Sequence, residues 1–549
     1  MGSKNHRIHQ VRNVFIVIAS VILLSANNVD GKKDIAPKSQ GAEYAAINCR
    51  AHSASLTEFG GVGDGKTLNT KAFQDAIKHL SQFESQGGSE LIVPPGKWLT
   101  SSFNLTSHFT LFLHKDAVLL ASEVETDWEV IAPLPSYGVG RDTTEGRYIS
   151  LIFGTNLTDV VITGENGTID GQGRIWWDKF KKNEIKHTRP YLIEIMFSTD
   201  IQISNITLVN SPNWNVHPIY SSNIIIQGIT ILSDLHSKNT DGINPDSCSN
   251  IRIEDCYIES GDDCVAVKSG WDQYGIAFGM PTKQLIVRRL TCISPTSAMI
   301  ALGSEMSGGI EDVRVEDITA INTESAVRIK TAPGRGAYVK DIYVRGMTLN
   351  TMNWVFWITG NYGQHPDNKT DLNAIPVVEN INYQNVVAKN VSIAARLDGI
   401  PGHQFKGICI SNVSIEMAPS ATPPIWNCTD EVAGMTTSVT PPPCPQLAAQ
   451  GPPACKFVTD KLPIENVKLK MCPVPTGGTA PGAQPPTPSA SAPTAFRGVA
   501  STLPGGKAPS AAPEAPSVAS VENSPLPAPG LNAPLAAPGL NAPLGAPAN

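Results

Sequence analysis

Six times in the middle of the chain a polar residue opens a short alternating strand: Asp200-Ile-Gln-Ile-Ser, Asn223-Ile-Ile-Ile-Gln, Asn250-Ile-Arg-Ile-Glu, Gln284-Leu-Ile-Val-Arg, Asp312-Val-Arg-Val-Glu and Asp341-Ile-Tyr-Val-Arg. Their starts lie 23, 27, 34, 28 and 29 residues apart. A second short strand follows each: Val216 to Ile219, Ile243 to Asp246, Val265 to Lys268, Ile300 to Gly303, Val327 to Lys330 and Val355 to Ile358. No helical periodicity intervenes, and stacked β units at this period are the mark of a solenoid, where each coil buries its apolar face only against its neighbours. A β-sandwich would be punctuated by tight Asn-Gly hairpin turns, which are not the punctuation here. The 46 glycines, 43 prolines and 6% aromatic content agree with turn-rich, all-β architecture. Segment Thr70–Leu80 carries Ala72, Phe73, Ala76, Ile77 and Leu80 on one helical stripe and is expected to cap the N-terminal end.

Composition divides the rest. Lys4, Arg7 and Arg12 precede an apolar run from Val14 to Leu24 that closes on Ser25 and Ala26, so residues 1–26 read as a secretory signal peptide, with a signal anchor as the alternative. Residues 27–48 form a polar linker and 49–472 the globular part. From 473 to 549 the chain is Pro, Ala, Gly and Ser with only Arg497, Lys507, Glu514 and Glu522 charged, a composition expected to stay disordered. The ten cysteines lack the paired spacing of a zinc site; in an exported protein most should pair, and Cys428, Cys444, Cys455 and Cys472 crowd the end of the globular part. Eight sequons begin at Asn104, Asn156, Asn166, Asn205, Asn368, Asn390, Asn412 and Asn427. A formal charge of −7 advertises no nucleic-acid surface, and an acidic ligand would need a local basic patch.

Stacking turns the sequence into columns. Aligning the second strands places Asp241 beside Asp263 and sets His217, Asn244, Ala266, Ala301 and Arg328 in one outward file, with Lys268 and Lys330 in another, separated by Gly303. At about 4.8 Å per coil the file spans roughly 19 Å, which suits several sugar units in an open groove. The densest acidic cluster is Asn239-Thr-Asp241-Gly followed by Gly261-Asp262-Asp263. Carboxylates gathered from adjacent coils repel one another and raise at least one pKa, the asymmetry that glycoside hydrolysis needs. A structural role in turns is the alternative for any single Asp. Arg328-Ile329-Lys330 sets two cations on one strand face, able to meet a substrate carboxylate. Together these point to a substrate that is both a glycoside and an acid, as pectin's galacturonate chain is.

The ordered set Phe59-Gly-Gly-Val-Gly-Asp-Gly-Lys66, Asn239-Thr-Asp-Gly242, Gly261-Asp-Asp263 and Arg328-Ile-Lys330 resembles the polygalacturonase family of glycoside hydrolases. The resemblance implies a right-handed parallel β-helix, an inverting mechanism and no required metal or other cofactor. Asp262 looks like its general acid and Asp241 and Asp263 like the pair activating water. Arg328 and Lys330 look like the clamp on the substrate carboxylate, and Tyr362 resembles a further contact. Asn239, Lys268 and His217 are expected on the substrate side of the groove; His217, about 10 Å from the acids, either serves a neighbouring sugar subsite or hydrogen-bonds a turn. The family's Gly-His-Gly segment is matched here by Ser297-Ala298-Met299, so Ala298 stands where histidine is usual and its function is expected to be lost or supplied by water. Carboxyls about 5 Å apart would, by the generic spacing rule, suggest retention, against the family's inversion. The whole is expected to be a secreted, extracellular or wall-located monomer acting on pectic polysaccharide, without stable membrane insertion. A calcium-dependent lyase, a non-catalytic pectin-binding β-helix and a β-helix hydrolase of a related uronide such as a substituted galacturonan remain as alternatives.

Overall fold

The computed structural model describes residues 44–45, 50–467 and 469–470; the expected signal peptide, most of the expected linker and the expected disordered tail lie outside the described residues. Within them parallel strands stack coil on coil. The first-strand column pairs Ile201 with Ile224, Ile251, Leu285, Val313, Ile342, Ile381 and Ile408 in unbroken register. These side chains line a continuous interior in which almost every aliphatic residue is inaccessible to solvent. Late coils merge their strands into the long runs Ile310–Lys330, Tyr338–Thr359 and Val377–Asp398.

The polar residue opening each repeat has a backbone reason. Asp200, Asn223, Asn250, Gln284, Asp312 and Asp341 all take positive φ, between 52° and 59°. Asn and Asp enter that region at the least cost among residues with a side chain. Their side chains also stack: Asn223 Nδ2 donates to Asp200 Oδ1 at 2.8 Å, and Asn250 Nδ2 to Asn223 Oδ1 at 2.7 Å. The repeat signal thus records a turn geometry and a polar ladder together.

The helix Thr70–Leu80 has the expected bounds, and its stripe is buried, Phe73 stacking on Phe103 with ring centroids 4.3 Å apart. It packs on strands His52–Ser55, Ser89–Val93 and Phe103–Asn104. Disulfides join Cys264 to Cys292, Cys409 to Cys455 and Cys428 to Cys444, the last two holding the C-terminal coils. Six of the eight described cysteines are thus paired, as expected of most, while Cys248 and Cys256 are free thiols buried in the interior. All eight sequon asparagines are exposed. No helix among the described residues is long and apolar enough to cross a membrane.

Candidate active site

The second-strand column falls in the expected register, Val216 beside Ile243, Val265, Ile300 and Val327. Ala266 therefore lies against Ala301, and Ala301 against Arg328. One coil further the register pairs Val327 with Phe356, so the strand expected to begin at Val355 is displaced by one residue. Gly242 donates its N–H to the Asp263 carbonyl at 2.9 Å, which locks the two acid-bearing turns rung to rung.

These turns bring Asp241, Asp262 and Asp263 together with carboxyl oxygens within 4.8 Å of one another. Asp241 and Asp263 are 3% and 2% exposed, whereas Asp262 is half-buried and faces the cleft. Lys330 Nζ sits 2.6 Å from Asp263 Oδ2, and Lys268 Nζ lies 3.5 Å from Asp241 and 3.1 Å from Glu305. The trio has the ligand chemistry for a cation, but the two buried ammoniums already bring positive charge to it.

The electrostatics separate the acids. Burial, then the neighbouring Asp262 charge, pushes Asp241 up to about 7, although Lys268 works against the shift. Burial also opposes charge on Asp263, but Lys330 beside it, with the Ser297 hydroxyl, holds that carboxyl below its ordinary value. Glu305 is held well below the carboxylate range despite burial, by Lys268 and Arg141.

Asp263 is oriented without a histidine. Its Oδ1 accepts from Ser297 Oγ at 2.5 Å and from the Ala298 N–H at 3.0 Å. The Ala298 side chain is fully buried against Ala266 and Ala301. Ser297, a backbone amide and Lys330 thus fix the Asp263 carboxylate.

Arg328 stacks on Trp357 with its guanidinium 3.4 Å from the ring centroid and contacts Glu324 at 3.3 Å. Tyr362 flanks both cations, 5.7 Å from the Arg328 guanidinium and 6.0 Å from Lys330 Nζ. Asn239 lines the same cleft and accepts from Arg189 at 2.8 Å. His217 does not reach it. It is 0% exposed, with Nδ1 3.0 Å from Glu194 and Nε2 3.4 Å from Asp246, and Glu194 is in turn paired with Arg147 at 2.6 Å. The expectation that it contacts a sugar is corrected: its file points away from the core, but loop 132–146 and the Tyr191 and Trp214 rings cover it.

Sequence reasoning missed Arg141, Trp214, Glu305 and Glu324, which sit in or beside the cleft. Arg141 lies in a loop with no repeat to align. Glu305 could have been found, since it follows Gly303 in the lysine file by two residues.

A parallel β-helix presenting a carboxyl trio beside a row of cations defines a polysaccharide-processing enzyme of the glycoside hydrolase type. The model of glycosyl hydrolases family 28 matches residues 115–437, and the chain belongs to that family. It is 66% identical over 462 residues to a "probable polygalacturonase" of Vitis vinifera, across 84% of this chain and 94% of that protein. Among solved structures it is similar to a hyperthermoactive exopolygalacturonase from Thermotoga maritima, with 28% identity, TM-score 0.59, and coverage of 69% of this chain and 89% of that one. The polygalacturonase of Erwinia carotovora ssp. carotovora shares the fold at 22% identity and TM-score 0.53, covering 72% of this chain and 97% of that one. The solenoid is thus the right-handed parallel β-helix of this family.

Proposed function

We propose that the protein hydrolyses α-1,4-galacturonosyl linkages of pectic polysaccharide after export to the cell wall. The carrying observation is one cleft that holds three carboxylates within 4.8 Å together with Lys268, Lys330 and Tyr362, Arg328 lying against that tyrosine. The acids supply the chemistry, and the cations fit a substrate charged at every sugar.

In the reaction, the bond from the anomeric carbon to the leaving oxygen breaks and a bond from that carbon to a water oxygen forms. Asp262, the acid facing the cleft, gives a proton to the leaving oxygen. Asp241 holds a proton up to about pH 7, so the Asp241–Asp262 pair keeps one in mildly acidic medium. Delivery through Asp262 leaves Asp241 and Asp263 as carboxylates that take the proton lost by water. Inversion follows the family resemblance. Arg328 and Lys330 meet the galacturonate carboxylate, with Tyr362 and Asn239 at the rim.

The test is release of reducing ends from polygalacturonate, from its fully methyl-esterified form and from a neutral galactan. Release from the acidic polymer alone, with no ultraviolet-absorbing unsaturated product, is the expected result. An unsaturated product would turn the reading to a lyase, and binding without release would turn it to a pectin-binding protein.

A further inference from the structure

The face carrying the acids is crossed by a strap. Loop 132–146, between the antiparallel strands Val130–Ile131 and Arg147–Tyr148, is tied down along its length. The Ser136 N–H donates to the Tyr220 hydroxyl at 3.0 Å, and the Tyr137 hydroxyl donates to Asp246 at 2.6 Å. Arg141 pairs with Glu305 at 2.6 Å and donates to Gln364, in loop 360–376, at 3.1 Å. Next to it Asp142 accepts from Arg189 at 2.8 and 3.1 Å, and Arg189 donates onward to Asn239.

The consequence is a groove that stops. Beneath the strap Glu194, His217, Asn244 and Asp246 are all 0% exposed, although their columns continue the face that carries the acids. Strap residues Leu134 and Tyr137 join Tyr191, Trp214 and Trp271 in an apolar cluster of their own, separate from the solenoid interior. The strap is therefore packed down, not laid loosely on top. The cleft bounded by Arg141, Trp214, the acids and Lys330 opens beside the covered columns, with Arg141 and Trp214 on the strap side.

We infer that the strap makes this an end-acting hydrolase. A polymer has no path through the catalytic centre toward the N-terminal coils, so a chain end must seat against the wall formed by Arg141 and Trp214. Each turnover then adds water across the last accessible linkage and frees the terminal sugar. This deepens the galacturonan reading and rests on it.

The test uses the full chain and a long oligogalacturonide of a single length, with products resolved by size from the first per cent of conversion. Monomer should be the dominant early product, with the parent shortened one unit at a time. Internal fragments of many sizes appearing together from the start would overturn the inference while leaving the galacturonan reading intact. No uronide released from any length would remove both. A double variant, Tyr137→Phe with Gln364→Ala, removes two of the strap's tethers while keeping the aromatic ring. It should yield a several-fold larger share of internal fragments; a pure monomer profile from that folded variant would show that the strap is not what blocks the groove. Should the variant fail to fold, the wild-type product profile still decides.

Discussion

Two charge clusters lie on one face of the solenoid, made of the same residue types and put to different use. Under the strap, Arg147, Glu194, His217 and Asp246 form a chain that the Tyr137 hydroxyl completes. Burial opposes charge on His217, but its hydrogen bonds to Asp246 and Glu194 outweigh it and the imidazole is shifted upward. At the cleft, Asp241, Asp262, Asp263 and Glu305 face only Lys268, Lys330 and Arg141. Burial first, and then the neighbouring Asp262 charge, push Asp241 up to about 7, although Lys268 works against the shift. The first cluster is sealed beneath the strap, whereas the second opens to the cleft through Asp262.

The sharpest way to break this contrast is to swap the consequences of losing one member from each cluster. Asp262→Asn should lower turnover on oligogalacturonides by about 100-fold or more while leaving the melting temperature nearly unchanged. His217→Ala should do the reverse. It strands Glu194 and Asp246 in a buried site, an effect typically worth about 3 to 5 kcal/mol of stability, while the folded fraction keeps its Michaelis constant for long and short substrates alike. Denaturant unfolding and kinetics on the same preparations separate the two, and a selective rise in that constant for long substrates would restore His217 to a sugar subsite.

A smaller effect is expected at the clamp. Arg328→Gln should weaken binding of acidic oligosaccharides by about 1.5 to 3 kcal/mol and leave fully methyl-esterified ones nearly untouched. Equal weakening of both would make the Arg328–Trp357 stack purely structural.

Smallest is the pH response. A carboxyl whose pKa is raised to about 7 keeps its proton below that pH and loses it above, so kcat/KM should decline through an alkaline limb near pH 7. In stability the sign is the same: the folded state binds the extra proton, so Asp241 weakens the fold progressively as pH rises from its ordinary 3.8 towards 7. Asp241→Asn should flatten that part of the stability profile, measured as melting temperature against pH.

The columns were legible because a period of two within strands and one coil between them leaves little freedom. Asp241 beside Asp263, and Ala266, Ala301 and Arg328 in file, follow from alternation and register alone. What lies over those columns was not legible. Loop 132–146 has no repeat and no periodicity, so nothing in its sequence announced that Tyr137 and Arg141 would close the face above His217. The Ala298 contact was hidden for a related reason: it is a backbone N–H to Asp263, which no side-chain reading can find. Cys248 and Cys256 were hidden too, since the inward file of a solenoid accepts cysteine as a small apolar residue.

The most direct measurement compares Asp262→Asn on two substrates, an oligogalacturonide and a galacturonide with a nitrophenolate leaving group that departs without protonation. The proton-donor role predicts a loss of about 100-fold or more on the first and at most a few-fold on the second. An equal loss on both, or more than about a tenth of wild-type turnover kept on the oligosaccharide, would contradict it.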